Sequence, residues 1–275
     1  MAKEQMERLV PSDGAIIGIR GYERNTFARF AGVQTTGGMV AMACQVEQPL
    51  AVMAQSRPVL SMDMRGQIIR GSRVENEDEV TIEQYIADFE NVRESLGQEK
   101  LAVLGYSPGG FFAAHYALAK PERISALVLA EPAIYTETED LYQRAELAER
   151  GDGVRAMEAM LTYIDPSISP EERNRLANIV VRDWQSPKML GKVFRLHGDR
   201  QLTDSDLAGL SKVPLLLIGG SESPMNFHIK RLAAAVPSAY VWWIQGASHL
   251  DLMDPPYAEE IAAVTSRFLD SVGAR

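Results

Sequence analysis

The sequence predicts an α/β protein: a mostly parallel sheet flanked by helices, with a helical insertion near its middle. Three observations carry this prediction. Short apolar, β-rich runs alternate with helical patterns along most of the chain, as in strands joined by crossover helices. The stretch Leu101-Ala-Val-Leu-Gly-Tyr-Ser107-Pro-Gly-Gly-Phe-Phe-Ala-Ala-His115 reads as strand, sharp turn and helix. From about Tyr135 to Lys212 the strand rhythm stops, and the chain becomes helical and polar, with charged runs such as 137–140 and Glu171-Glu-Arg173.

Taken in order, strands are expected over residues 15–19 and 26–31, followed by a helix near 39–54. The next strand, 58–63, ends on the turn Asp63-Met-Arg-Gly66. A helix near 82–96 opens at Thr81-Ile-Glu-Gln84, which has capping-box spacing. Strand 100–105 feeds helix 108–119, and Pro121-Glu-Arg-Ile-Ser-Ala-Leu-Val-Leu-Ala130 leads into strand 126–131. After the insertion come strand 215–219, a helix near 227–235, strand 240–244 and a helix near 257–270. The expected division is a core of residues 1–134 and 213–275 and a helical lid of residues 135–212. A lid of this kind excludes water and shapes a pocket.

At 275 residues the chain suits one large domain with an insertion. Hydrophobic residues at 46% and charged residues at 24% are those of an ordinary globular protein. The formal charge of −9 and the lack of a dense Lys/Arg stripe argue against nucleic acid as a partner. No apolar run approaches the roughly 20 residues that span a bilayer, and the first residues lack the apolar core of a signal peptide. A cytoplasmic protein with a small-molecule substrate and no membrane partner is therefore expected, and a homodimer is compatible with the sequence. Cys44 stands alone, which excludes an intrachain disulfide and zinc sites built on paired cysteines.

The strand-turn-helix around Ser107 is a nucleophile elbow: the serine sits at the apex in a strained conformation, with Gly105 and Gly109 leaving room on either side. A serine hydroxyl needs a general base, and histidine has the suitable pKa. Of the four histidines, His249 in Gln245-Gly-Ala-Ser-His249-Leu follows the last strand, where this architecture delivers its base. His115 reads as a packing or hydrogen-bonded residue, and His197 and His228 as surface or pocket-lining ones. The base needs a carboxylate to fix its tautomer. The loop after Leu215-Leu-Leu-Ile-Gly-Gly220 offers Ser223 where an aspartate is expected, with Glu222 one place off. The strand before it ends in Leu-Ala-Glu131-Pro132, and ligands gather at that edge of α/β sheets. Glu131 is the favoured acid, Glu222 the alternative, the absence of any acid a third reading, and Glu131 could instead cap the first turn of the lid.

Together the elbow at Ser107, the turn 63–66, the lid and Gly246-Ala-Ser-His249 resemble the α/β-hydrolase superfamily over essentially the whole chain. Within it, a missing acid after strand 215–219 and a Glu ending the strand before it resemble haloalkane dehalogenases and zearalenone-type lactone hydrolases. The first use an aspartate nucleophile, so Ser107 leaves the lactone hydrolases as the closer pattern. That resemblance implies a substrate-contacting role for Trp184 in the lid, against a plain packing role.

Two departures bear on the chemistry. The loop Gly32-Val-Gln-Thr-Thr-Gly-Gly38 lacks the His-Gly pair common in the superfamily, and Gly32 and Val33 are its candidate N–H donors to an oxyanion hole. Pro108 follows the nucleophile, where a backbone N–H is normally lent to that hole, and proline has none. Gln34, Thr35 or a lid group could replace the donor. The expected function is hydrolysis of a small, fairly apolar ester or lactone through an acyl-enzyme, with no metal or organic cofactor. One rival is a lyase, cyclase or isomerase of the same fold that uses Ser107 and His249 for proton transfer. The other is a silent binding protein that keeps the pocket.

Overall fold

The computed structural model describes residues 6–23, 26–32, 38–42, 47–78 and 80–274. Among them the chain runs β1 (Glu7–Ser12), β2 (Ala15–Gly21), α1 (Thr26–Gly32), β3 (Met39–Met42), α2 (Glu47–Met53), β4 (Val59–Met62), β5 (Arg73–Val74) and α3 (Ile82–Ser95). It continues through β6 (Leu101–Tyr106), α4 (Pro108–Ala119) and β7 (Ile124–Ala130). Five helices follow: α5 (Thr138–Glu149), α6 (Gly153–Ile164), α7 (Pro170–Arg182), α8 (Pro187–Asp199) and α9 (Asp204–Leu207). The chain ends with β8 (Leu215–Gly220), α10 (Asn226–Ala235), β9 (Tyr240–Ile244) and α11 (Tyr257–Ser271). The strands form one sheet in the order β1-β2-β4-β3-β6-β7-β8-β9, with β5 added to β2. The pairings on β2 are antiparallel, and those from β4 to β9 are parallel.

A period of two divides the core. On β6, Leu101 and Val103 join the cluster under α3, α4 and the inserted helices, whereas Ala102, Leu104 and Tyr106 join the cluster under α2 and α11. Strands buried on both faces read as unbroken apolar runs, which is why β6, β7 and β8 fall where the sequence expects them. The capping box at Thr81 is present, with the Thr81 side chain accepting from the Gln84 N–H.

Helix α4 lies hard against the sheet. A Cβ on Gly105 would stand 2.6 Å from Gly110 Cα, and one on Gly110 would stand 2.4 Å from Pro132 Cβ. The close pair is thus Gly105 with Gly110, and Gly109 contributes its carbonyl, 2.7 Å from that same Gly105 position. Three segments meet there: the end of β6, the start of α4 and the exit of β7.

The turn after β4 is held by buried ion pairs. Arg65 donates to both Asp88 carboxylate oxygens at 3.0 and 2.7 Å and to the Asp13 carbonyl at 2.7 Å. Asp63 accepts from the Arg70 N–H and guanidinium, each at 2.9 Å, and from the Ser72 hydroxyl at 2.7 Å.

Two sequence expectations are overturned. Residues 26–31 form helix α1 rather than a strand: Phe27 and Phe30 are buried at helical i, i+3 spacing, and the Thr26 side chain caps the turn on Glu23. Residues 39–54 are not one helix. Met39–Met42 form β3, fully buried between β4 and β6, and among the described residues of this span only Glu47–Met53 are helical. Met and Ala favour helices locally, but ladder bonds and burial on both sides decide the outcome for a central strand. Strands β1 and β5 are additions that the sequence reading lacks.

Candidate active site

Strand β6 delivers Ser107 to the carboxyl edge of the sheet. Its backbone is strained, with φ 52° and ψ −124°, in a region a non-glycine residue adopts at a cost of roughly 1–3 kcal/mol. The tie that holds it is double: the Ser107 carbonyl accepts from Gly110 N–H at 3.0 Å and from Ala133 N–H at 2.9 Å. The positive end of the α4 dipole points at the hydroxyl.

Ser107 Oγ lies 3.0 Å from His249 Nε2, and His249 Nδ1 lies 2.7 Å from Glu131 Oε2. The imidazole is buried, stacked on the Tyr106 ring at 5.2 Å, and its backbone carbonyl accepts from the Tyr106 hydroxyl. Glu131 is fully buried just past β7, with φ 39°. Its Oε1 accepts from Gly220 N–H at 2.7 Å and its Oε2 from the Ser223 hydroxyl at 2.7 Å, while Ser223 Oγ accepts from Met225 N–H at 3.0 Å. Both carboxylate oxygens are thus met by donors. Glu222 is exposed and among the described residues receives only the neighbouring Ser221 hydroxyl, at 3.3 Å. Of the two carboxylates weighed from the sequence, the structure brings Glu131 to the imidazole.

The other histidines stand elsewhere. His115 is 3.0 Å from the Arg200 carbonyl, and burial pushes its pKa down to about 4. His197 packs on Phe111 at 4.0 Å, and burial pushes it down to about 3. His228 accepts from the Tyr135 N–H at 3.0 Å, and burial again pushes it down to about 3. His197 borders the cavity described below, but His228 is fully buried rather than on the surface.

Ser107, Pro108, His249 and Trp184 line one cavity of about 410 Å³. Its remaining wall comes mainly from apolar side chains of α5–α8, such as Leu141, Met157, Leu161 and Phe194. Pro108 is the first residue of α4, so no N–H is offered there. Trp184, 6% exposed, packs in the core and also lines the cavity.

Gly32 as an oxyanion donor is a correction. Gln98, just before β6, donates to the Phe30 carbonyl at 2.6 Å, and the Phe30 ring occupies the space a Cβ on Gly38 would take. Helix α1 therefore packs at the amino edge of the sheet, whereas Ser107 follows the carboxyl end of the six-residue β6. At about 3.3 Å per strand residue the two edges are roughly 20 Å apart. The error follows from the misread strand: the neighbour of β6 is β3, which ends at Met42, and not residues 26–31. Val33, Gln34, Thr35 and Cys44 lie outside the described residues.

Three residues escaped the sequence reading. Ser223, met only as a missing aspartate, orients Glu131. Gln67 lines the cavity with Oε1 accepting from Met64 N–H at 2.9 Å, which leaves its NH₂ without a partner among the described residues. Its signal was its place in the turn after Asp63. Arg144 also lines the cavity, and nothing in its local sequence separates it from a surface helix residue. Among the described residues no group of three or more His, Cys, Asp or Glu is placed to hold a metal ion, and no helix is long and apolar enough to cross a membrane.

Known structures share this architecture. An esterase from Thermogutta terrifontis superposes with a TM-score of 0.75 at 18% identity, covering 97% of this chain and 98% of that one. The enol-lactonase from Burkholderia xenovorans LB400 gives 0.74 at 20% identity, covering 96% and 100%. In sequence, the chain is 37% identical over 115 residues to the 1-acylglycerol-3-phosphate O-acyltransferase ABHD5 of Sus scrofa, over 40% of this chain. That match spans only 32% of the relative's length. The model of the α/β hydrolase fold family matches residues 47–256, most of the sheet, the inserted helices and all three residues of the Ser107 cluster, and the chain belongs to that family.

Proposed function

We propose that the protein is a serine hydrolase that cleaves a small, fairly apolar ester or lactone through an acyl-enzyme. The observation that carries this reading is the run of short contacts from Ser107 Oγ through His249 to Glu131 at the floor of an apolar cavity. With Nδ1–H donated to Glu131, the Nε2 lone pair faces the Ser107 hydroxyl. Ser107 Oγ attacks the carbonyl carbon as His249 Nε2 takes its proton. The imidazolium then protonates the leaving alkoxide as the C–O bond breaks. Water, giving its proton to His249, attacks the acyl carbon, and the collapsing intermediate returns Ser107.

The charge on the carbonyl oxygen must be met without a Pro108 N–H. Gln67 supports a replacement, because its carbonyl oxygen is pinned and its amide nitrogen is free to donate into the cavity. The placement of the acid at the end of β7 supports the branch of the family typified by zearalenone-type lactone hydrolases.

A fluorophosphonate probe tests the reading. Labelling is expected at Ser107 in the wild type and not in Ser107→Ala. Folded wild-type protein that resists the probe would overturn the acyl-enzyme and favour the proton-transfer rival, which Pro108 suits because such chemistry develops no oxyanion beside the serine.

A further inference from the structure

We propose that Arg144 is the anchor for a free carboxylate on the substrate, so that the ester or lactone cleaved at Ser107 carries a second, anionic end. The inference rests on the hydrolase reading above and narrows its substrate class.

Arg144 reaches inward from α5 and is 5% exposed, yet it is poorly partnered. Its one ion-pair contact is Asp140, one turn back, at 3.7 Å, too long for a hydrogen bond, and the Asp140 side chain is 44% exposed. Its guanidinium donates no hydrogen bond among the described residues, and burial lowers its pKa. The other buried arginines each donate to a carboxylate within hydrogen-bond distance. Arg65 donates to Asp88 and Asp13, Arg70 to Asp63 and Glu47, Arg57 to Asp270 and two carbonyls, and Arg93 to Glu90, Glu94 and the Gln98 carbonyl. Those four are structural. Arg144 alone among them borders the cavity.

A guanidinium presents five N–H groups in a rigid fork that matches a carboxylate bidentately. The Tyr163 ring, 5.3 Å from Arg144 Cζ, backs one face, which leaves the fork to the cavity. Other charges on the cavity wall offer an anion little. Arg175 is taken by Glu172 at 2.5 Å, and Asp251, held by Ser248, and Asp254 are acidic. His197, beside Arg144, is kept neutral by burial. An anionic end therefore has one seat in an otherwise apolar space, and a single fork suits a carboxylate better than a dianionic phosphate.

The experiment pairs mono-p-nitrophenyl adipate with its methyl-capped neutral ester. Wild type is expected to prefer the free acid by about 10- to 100-fold in kcat/KM, the range of a hydrogen bond between charged groups. In Arg144→Met the ratio of the two values should fall toward one, and in Arg144→Lys it should stay between. The ligand-free melting temperature of Arg144→Met should hold or rise, because a lone buried charge is removed, whereas loss of a structural arginine would lower it. A wild type without preference, a preference that survives in Arg144→Met, or a stronger preference for a phosphorylated ester would overturn the proposal. If neither ester is cleaved and Ser107 resists the fluorophosphonate, the hydrolase reading fails. The anchor is then decided by titrating monomethyl adipate into Ser107→Ala, where saturable binding lost on adding Arg144→Met is expected and no binding overturns it.

Discussion

The Ser223 hydroxyl donates to Glu131 Oε2 at 2.7 Å, so the residue found where an aspartate is usual holds the carboxylate that follows the neighbouring strand. The same oxygen receives His249 Nδ1, and Gly220 N–H holds the other. Glu131→Gln should therefore lower kcat by roughly 10³–10⁴-fold by breaking the imidazole's tautomer. Ser223→Ala should cost about 10-fold through a loosened carboxylate, and Glu222→Gln should stay near wild type. Steady-state kinetics on one neutral ester ranks the three, and a larger loss in Glu222→Gln than in Glu131→Gln would refute the assignment.

Pro108 and Gln67 form a linked prediction. Removing one oxyanion donor typically costs about 100- to 1000-fold, so Gln67→Leu should lower kcat by that order with a smaller change in KM. Pro108→Ala restores an N–H at the first position of α4 and should raise kcat, most visibly in the Gln67→Leu background. If Pro108→Ala gives no rescue there, Gln67 is not covering for the proline.

Burial sets an acid-sensitive window. His197 and His228 are held down to about 3 in the folded state, while an unfolded histidine titrates near 6.5. Below about pH 6.5 the unfolded chain binds protons that the native state refuses, so stability falls with pH until the folded pKa values are reached. Each group contributes at most about 1.4 kcal/mol per pH unit in that range. Carboxylates with lowered pKa values, such as Glu90 and Glu149, act only below about pH 4.5, so between pH 6.5 and 4.5 the fall in urea midpoint comes from the buried histidines, His115 included, against an opposing contribution from Asp88 and Asp183, whose carboxyls burial pushes up. The slope should flatten in His228→Asn.

The pair Arg65–Asp88 is buried on both sides, at 2.7 Å. Arg65→Met should destabilise by about 3–5 kcal/mol because it strands the Asp88 charge, and adding Asp88→Leu should recover much of the loss. Denaturant unfolding of the two variants checks this, and the single variant should also lose activity, since Arg65 carries the turn on which Met64 and Gln67 meet the cavity.

The elbow was legible in the sequence because it is local: strand, serine and glycines are contiguous, and their geometry needs no distant partner. Glu131 was legible as a charge ending an apolar run. The order of the central strands was not, because Met39–Met42 resembles a helix until β4 and β6 claim its backbone, and the mistaken choice of Gly32 descends from that one error. Ser223 and Arg144 depend on what faces them across the fold, and residue spacing along the chain carries no trace of either contact.

Pro132 sits on Gly110 and follows Glu131, and Tyr106, the residue before Ser107, holds the His249 carbonyl. Ser107, Glu131 and His249 are thus bolted to one chassis at the end of β6, with little play among them. The inserted helices share none of these fastenings and supply most of the cavity wall. The cavity wall can therefore change through α5–α8 while the geometry of Ser107, His249 and Glu131 is left alone, so what the cavity admits and the arrangement at its floor can evolve on separate schedules.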